Sequence, residues 1–407
     1  MRYLIYCLLG CLFVFWGCGT STTQRLSRGE IAQLSWEAIL DSARGTEVNW
    51  MMWQGDPEIN TFVSEYVVPE VQQRYGITLT ISNGQGNQII SALMPELEAG
   101  KEESEIDMMW FNGETFYQLR QINALFGPFT DFLPNSQYID FENPFIKYDF
   151  QQEVDGMECP WGTVQQTLIY DTARVSQPPQ NLAELETWVK AHPERFTLPN
   201  DFTGMSLLKS MLIEFYGGKE AIVGEFNEEK YQKHSAELWA YINRIKPYFW
   251  KKGETFPSGR AAVDQMFASG ELDFSMSMND AEVESKVLQE VFVESSTAYV
   301  WDIGTIRNSH YQGIPIHARN PLGALVVINF LISPEAQLKK TDPKTWGDGT
   351  ILAVDKLPAV WQEKFKQIPP RTYAPQREEI EPNGLPEPAP EYMIRIFEDF
   401  RKEVIQQ

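Results

Sequence analysis

Two short stretches carry the residue types that hold small molecules. In NWMMWQGDPEIN, residues 49–60, the indole of Trp53, a glycine and the carboxylate of Asp56 follow one another closely. In WFNGETF, residues 110–116, the amide of Asn112 and the carboxylate of Glu114 flank another glycine. An indole beside a carboxylate suits an organic cation, which gains about 0.5–2 kcal/mol over an aromatic face. The plainer reading is capping, because Asp and Asn satisfy free amides at helix starts. The two uses are compatible, since both need a polar side chain where a helix begins. Trp110 sits inside an apolar run and belongs to the core.

Catalysis finds little support, and the chain reads as a binding protein rather than an enzyme. Paired acids hydrolyse glycosides only at set separations, and nothing here sets one, so an envelope hydrolase stays a minority alternative. His192, His234, His310 and His317 have no metal-binding spacing. Cys159 precedes Pro160 with no histidine nearby and reads as a buried thiol. No glycine-rich phosphate loop follows a strand, so no cofactor is expected. An adhesion lipoprotein is a third class, but it has no use for indoles and acids converging on one hollow.

The elements that must position these residues alternate. TEVNWMMW, ITLTIS and IDMMWF read as strands. PEINTFVSEYVVPEVQQRYG, NQIISALMPELEAG and NGETFYQLRQINAL read as helices between and after them. Such alternation predicts a mainly parallel sheet covered by helices on both faces. Ligands of these sheets sit beyond the carboxyl ends of the strands, which is where Trp53–Asp56 and Asn112–Glu114 fall. A second region opens with the strand signal MECPWGTVQQTLIYD, carrying Trp161 and Thr163. In LPNDFTGMS a loop opens into a helix at Phe202 and Thr203, where backbone amides favour a ligand's acceptor groups or simply a cap. Ser277 ends a later strand, Trp301 follows, and ALVVINFLISPEAQLKK reads as one helix with an apolar stripe.

The first residues, MRYLIYCLLGCLFVFWG, are too short for a transmembrane helix of about 20 apolar residues. They have the order of a secretory signal, a cation and then an apolar run. Gly17-Cys18 resembles a lipoprotein cleavage site, with Cys18 acylated; the alternative is an ordinary signal cut near Gly19–Ser21. Once the signal is gone, Cys159 is the one thiol left in the folded part, so no internal disulfide forms. The formal charge of −22 repels nucleic acid and mildly favours cationic ligands.

These strings, together with PWGTVQQTLIYD, PNDFTG, GIPIHARNPLGALVVINFLISPEAQ and WGDGTILAVDKLP, occur in an order that resembles the YnjB-like family of ABC transporter solute-binding proteins. The likeness runs from Trp36 to Trp361 and thins in the proline-rich tail. It implies a type II periplasmic-binding-protein fold: two α/β lobes, each a mainly parallel sheet flanked by helices, with the ligand cleft between them. The implied division is a signal over 1–17 and a lipid-anchored tether over 18–30. The first lobe takes 31–158 and 319–345; the second takes 159–318, with hinge crossings at both ends, and 346–407. The implied cleft residues are Trp53, Asp56, Asn112, Glu114, Trp161, Thr163, Phe202, Thr203, Ser277 and Trp301. The implied partners are a small-molecule ligand, an ABC permease with its ATPase and, through Cys18, a membrane of the cell envelope. A monomer is expected, with no nucleic acid bound. Thiamine-like or other organic cations fit indoles and acids; a sugar or a polyamine is the alternative, and Thr203 extends the choice to phosphorylated forms.

Overall fold

The computed structural model describes residues 26–406; the signal run and Cys18 lie outside the described residues. Part of the stretch read as tether is folded. Ser27 and Glu30 form a capping box that starts the helix Arg28–Ile31, as the S-x-x-E pattern allows.

The first lobe is built on strands β1 (Glu47–Met52), β2 (Thr78–Asn83) and β3 (Met108–Phe111), joined by β4 (Leu125–Phe126). After the hairpin β5 (Tyr148–Asp149) and β6 (Gln152–Glu153) come β7 (Cys159–Gln165) and β8 (Thr167–Asp171). The remaining strands are β9 (Phe274–Ser277), β10 (Ser296–Tyr299), β11 (Thr305–Pro315) and β12 (Gly384–Leu385). The larger sheet runs β12-β11-β3-β1-β2, with β4 and β7 also paired to β11. Its β2-β1-β3 portion is parallel, as the alternation predicts, and β11 joins antiparallel to β3.

The smaller sheet, β10-β8-β9, is antiparallel at both pairings, which corrects the expectation of a mainly parallel second sheet. The reason lies in how the chain enters it. β7 belongs to the large sheet and β8 to the small one, and Gln166 alone separates them. β8 therefore runs away from the crossing, while β9 and β10 run back, ending opposite Thr167 and Leu168. The carboxyl end of β9 still faces the first lobe, where Asn279 Nδ2 donates to the Trp346 carbonyl at 3.2 Å.

The two largest buried clusters support the two lobes. Trp50, Phe62, Val67, Ile328 and Phe330 belong to the first, and Leu208, Leu238, Ile242, Phe274 and Trp301 to the second. β11 serves both, with Ile306 in the second core and Ile314 in the first. The chain therefore crosses between lobes within one continuous strand. Trp346, Ile351, Leu352 and Phe365 pack into the first core, whereas Tyr392, Ile396 and Phe400 pack into the second.

Local chemistry explains most boundaries. Asp56 starts the helical run and Pro57 takes its first position, where a missing N–H costs nothing. Residues 62–67 widen into a π-helical stretch just before Pro69, which cannot donate to a carbonyl in the turn behind it. Gly76, at φ 68°, ends the run in the left-handed conformation that glycine adopts freely. ALVVINFLISPEAQLKK is not one helix. It breaks into Pro321–Leu331 and Pro334–Thr341, bent by 55°. Ser333 caps the second piece through Ala336 N at 3.2 Å, and Pro334 denies the first a hydrogen bond. The first piece carries no stripe, because Ala324–Leu331 are buried all round. No single helix among the described residues is long and apolar enough to cross a membrane.

Candidate functional site

At the carboxyl end of β1, Asp56 does both jobs that its position allows. One oxygen, Oδ1, accepts from the amides of Glu58 (3.0 Å) and Ile59 (3.1 Å), capping the helix Pro57–Thr61. The other, Oδ2, is bound by the guanidinium of Arg260 from the opposite lobe. Arg260 opens the helix Arg260–Ala268 and also reaches Asp264, at 3.0 Å, and Glu282. Beside it, Lys286 pairs with Glu58 across the lobes at 2.7 Å and lies 3.6 Å from Glu282. Burial opposes the charge on Arg260, yet Glu282, Asp264 and Asp56 together hold it well above its ordinary pKa. Burial alone would raise Asp56, but Arg260 and the capping bonds keep it below the usual carboxylate range. Glu282, pushed up by burial and by its acidic neighbours, stays above that range despite Arg260.

Trp53 is half-buried beside this network, its ring edge-on to Trp110 at 6.4 Å. Trp110 leads inward to Trp161, at 5.1 Å, as a core residue should. Trp161 is fully buried among Trp50, Trp346 and His310, so it supports the site from behind and leaves the set of cleft side chains. A strand of a sheet covered on both faces buries either side, and the sequence alternation of β7 cannot separate them. His310 stacks on Trp346 at 5.7 Å and meets Asp348 at 3.1 Å, with Lys340 also on that carboxylate. Gly162 is required there, because a Cβ would lie 1.9 Å from the His310 Nε2 atom. Thr163, next along β7, donates to the carbonyl of Asn308 at 3.3 Å and stays part-buried at the crossing.

A second group forms around Glu114. Asn112 precedes the helix Gly113–Gln121 without capping it, so the expected cap is not made. The Oε2 atom of Glu114 is buried and has no hydrogen-bond partner. Burial pushes its carboxyl up to about 7, only partly offset by Lys209. Lys209 is fully buried, pairs with Glu387, and lies 4.5 Å from the Phe150 ring centre and 5.1 Å from that of Phe202. Asp149, in the same field, is raised well above the carboxylate range by burial and by Glu114 and Glu387.

The other expected residues fall outside these groups. The helix start at Thr203 is already filled, since Asp201 accepts from Thr203 N (3.0 Å) and Gly204 N (3.1 Å). Those amides have no capacity left for a phosphate, which removes that reading. Ser277 is buried and turns inward, accepting from Asn279 N at 3.0 Å. Trp301 is wholly enclosed in the second core and leaves the cleft set. An indole near a strand end fills core as readily as it lines a cleft, and its residue type cannot say which. The sequence reading missed Arg260, Lys286, Lys209, Asp149 and Glu387. Arg260 did carry a signal: a cation at a helix N-terminus opposes the helix dipole and needs a countercharge.

The lobes are shut in this arrangement. Besides the ion pairs, Asn279 Nδ2 (3.2 Å) and Ser285 Oγ (3.4 Å) donate to the Trp346 carbonyl from the second lobe. Among the described residues no group of three or more His, Cys, Asp or Glu side chains is placed to hold a metal ion. The only cysteine described, Cys159, is buried, and burial pushes its thiol up, away from reactivity.

Two α/β lobes joined by crossing strands, with polar side chains from each meeting between them, define a binding protein that closes on a solute. Residues 67–367 match the family described as bacterial extracellular solute-binding protein. The chain is 33% identical to Protein YnjB of Escherichia coli (strain K12) over 344 residues, covering 84% of this chain and 88% of that one. Its fold is similar to that of the TpPotD lipoprotein of Treponema pallidum, with TM-score 0.63 and 13% identity, covering 89% of this chain and 100% of that chain. It is also similar to apo ferric ion-binding protein A of Pasteurella haemolytica, with TM-score 0.58 and 13% identity, over 89% of this chain and 98% of that one. The chain belongs to the bacterial extracellular solute-binding proteins, the exported components that bring small molecules to ABC transporters.

Proposed function

We propose that the solute is a small organic cation, thiamine-like or another, held between the lobes by hinge closure and passed to the permease. One observation carries this reading. At the lobe junction the buried acids Asp56, Asp264 and Glu282 and the half-buried Glu58 share two cations, Arg260 and Lys286, beside the half-buried Trp53. Buried charge is costly unless it is paired, so a further cation is the species this junction accepts at least cost. Trp53 supplies an aromatic face, and Asn112, Glu114, Thr163 and Phe202 are its proposed companions. Ser277 and Thr203 remain in the set only as supports, because their polar groups are engaged.

A polyamine is the second reading, favoured by a specific feature. The Asp56 group and the Glu114 group are separate acid-rich spots, and a chain with a cation at each end would use both. The solved structures of similar fold differ too widely to choose: one is an apo ferric ion-binding protein and another is described with fructose-6-phosphate bound. We assign the lobes as the cores suggest, with Trp346–Phe365 moved from the second lobe to the first. The protein is proposed to act as a monomer anchored through lipid on Cys18. Intact mass of the mature chain tests the anchor, and an unmodified N-terminus beyond Cys18 refutes it.

The solute class is tested by thermal shift across thiamine and its phosphates, polyamines, quaternary amines, oligosaccharides and ferric iron. A solute at a hundred times its Kd stabilises by about 2.7 kcal/mol. A shift with an organic cation alone supports the proposal; a shift confined to neutral sugars or anions overturns it.

A further inference from the structure

Arg260 ties carboxylates of both lobes together at the heart of the junction, with Lys286 beside it bridging Glu58 and Glu282 in the same way. The helix of Arg260 lies against β9 in the second lobe, and the Arg260 backbone amide donates to Asp201 at 2.7 Å. Two of its carboxylates, Asp264 and Glu282, come from its own lobe and hold the guanidinium in place. The third, Asp56, comes from the first lobe and is itself fixed by capping a helix. Donor and acceptor are thus both pre-positioned, and they meet only when the lobes are shut. Arg260 is 7% exposed and Asp56 3%, so the pair is formed away from water, where attraction between charges is strongest.

We propose that Arg260 is a built-in substitute for the solute's cation, latching the lobes closed over Asp56 when no solute is present. The inference rests on the cleft reading above and deepens it, for it names the group that a cationic solute must displace. Asp56 has a single oxygen for this purpose, since the other caps the helix Pro57–Thr61. Arg260 already lies on that oxygen, so a solute cation drawn to Asp56 competes with it for the same buried space and meets its like charge there. When the solute takes Asp56, Arg260 keeps Asp264 and Glu282 and is not left bare. The neighbouring pair Lys286–Glu58, at 2.7 Å, stays available to either closed form. A latched fraction is removed from the pool that can bind, and apparent affinity falls in proportion.

The test uses small-angle X-ray scattering on the protein freed of solute by unfolding and refolding. Two variants are compared with the wild type. Arg260→Ala removes the latch, but it leaves Asp264 and Glu282 buried without their cation and is open to misfolding. Asp56→Ser keeps a good helix cap, leaves Arg260 with its two own-lobe partners, and removes only the cross-lobe bond. The expected result is a larger radius of gyration for Asp56→Ser than for wild type, with a cooperative thermal melt in both. An unchanged radius in a folded Asp56→Ser protein overturns the latch, whatever Arg260→Ala does. Because no solute enters the measurement, a wrong guess about the solute's charge leaves this result intact; the thermal-shift panel judges that guess separately.

Discussion

Glu114 offers the sharpest test of the electrostatic reading. Its carboxyl is pushed from 4.5 to about 7 by burial at the carboxyl end of β3. The folded protein therefore keeps a proton on Glu114 between those two values, while the unfolded chain has already lost it. Stability must fall as pH rises through that window, since the folded state binds more protons than the unfolded one. One pKa unit is worth 1.36 kcal/mol, so this shift corresponds to at most about 3.4 kcal/mol. Glu114 is only part-buried, and water screening brings the expected figure nearer about 2 kcal/mol. Gln has the shape of the protonated acid and cannot ionise. Glu114→Gln is expected to exceed the wild type by less than about 1 kcal/mol at pH 5 and by about 2 kcal/mol at pH 8. Urea unfolding midpoints at pH 5, 6.5 and 8 read this directly. Asp149 shares the same field and ionises more readily once Glu114 is gone, which adds to the gain at pH 8.

The same group predicts how solute binding depends on pH. A cation beside Glu114 favours its ionised form, so binding releases a proton whenever Glu114 starts protonated. Cation affinity is expected to rise with pH up to about 7, then level off, and to lose that slope in Glu114→Gln. A stability gap that stays constant from pH 5 to 8 refutes the burial argument. A cation affinity independent of pH in the wild type places the solute away from Glu114.

Other predictions concern the indoles and the hinge. Trp53→Ala is expected to weaken cation binding by about 0.5–2 kcal/mol in calorimetry with little change in melting temperature; unchanged affinity refutes the aromatic face. Trp161→Ala, from the enclosed cluster, is expected to cost about 3–5 kcal/mol of stability in denaturant unfolding, and a loss below about 1 kcal/mol contradicts its placement. Lys340→Met leaves Asp348 buried beside His310 and is expected to cost about 3–5 kcal/mol, with part regained when Asp348→Asn is added. The absence of any recovery in that double variant means the two residues do not act as a pair.

The sequence was most informative where local geometry settles the outcome. Glycine at position 76 and aspartate at 56 have one or two conformational uses each, and the structure adopts them. The parallel run β2-β1-β3 follows from the alternation of strands and helices, a pattern each segment reveals by itself. What stayed hidden depends on contacts between distant segments. Trp161 and Trp301 are of the same type as Trp53, and only the packing of other strands buries them. The antiparallel second sheet follows from a crossing at Gln166 that shows no break in TVQQTLIYD. Lys209 looks like the polar edge of an amphipathic helix, yet Glu387, far along the chain, draws it inside. The break at Ser333-Pro334 was readable, because serine before proline is a common helix start, but the apolar run on its left masked it.

Closure and charge are coupled tightly enough that one substitution reads the solute's charge class. Hinge closure is driven by a solute only through its different affinity for the open and shut forms. A cation that takes Asp56 competes with Arg260, so Arg260→Ala removes its competitor. Affinity then rises, on the order of tenfold if the latch holds about nine-tenths of the unliganded molecules. An anionic solute needs Arg260 as its partner and loses affinity in the same variant. A neutral solute leaves the ion pair in place and responds alike to Arg260→Ala and Asp56→Ser, because each breaks the same cross-lobe bond. The cation stands apart, because it gains from Arg260→Ala and loses from Asp56→Ser. Opposite signs from the two ends of one ion pair, measured by calorimetry on a single solute, identify that solute as a cation seated beside Asp56.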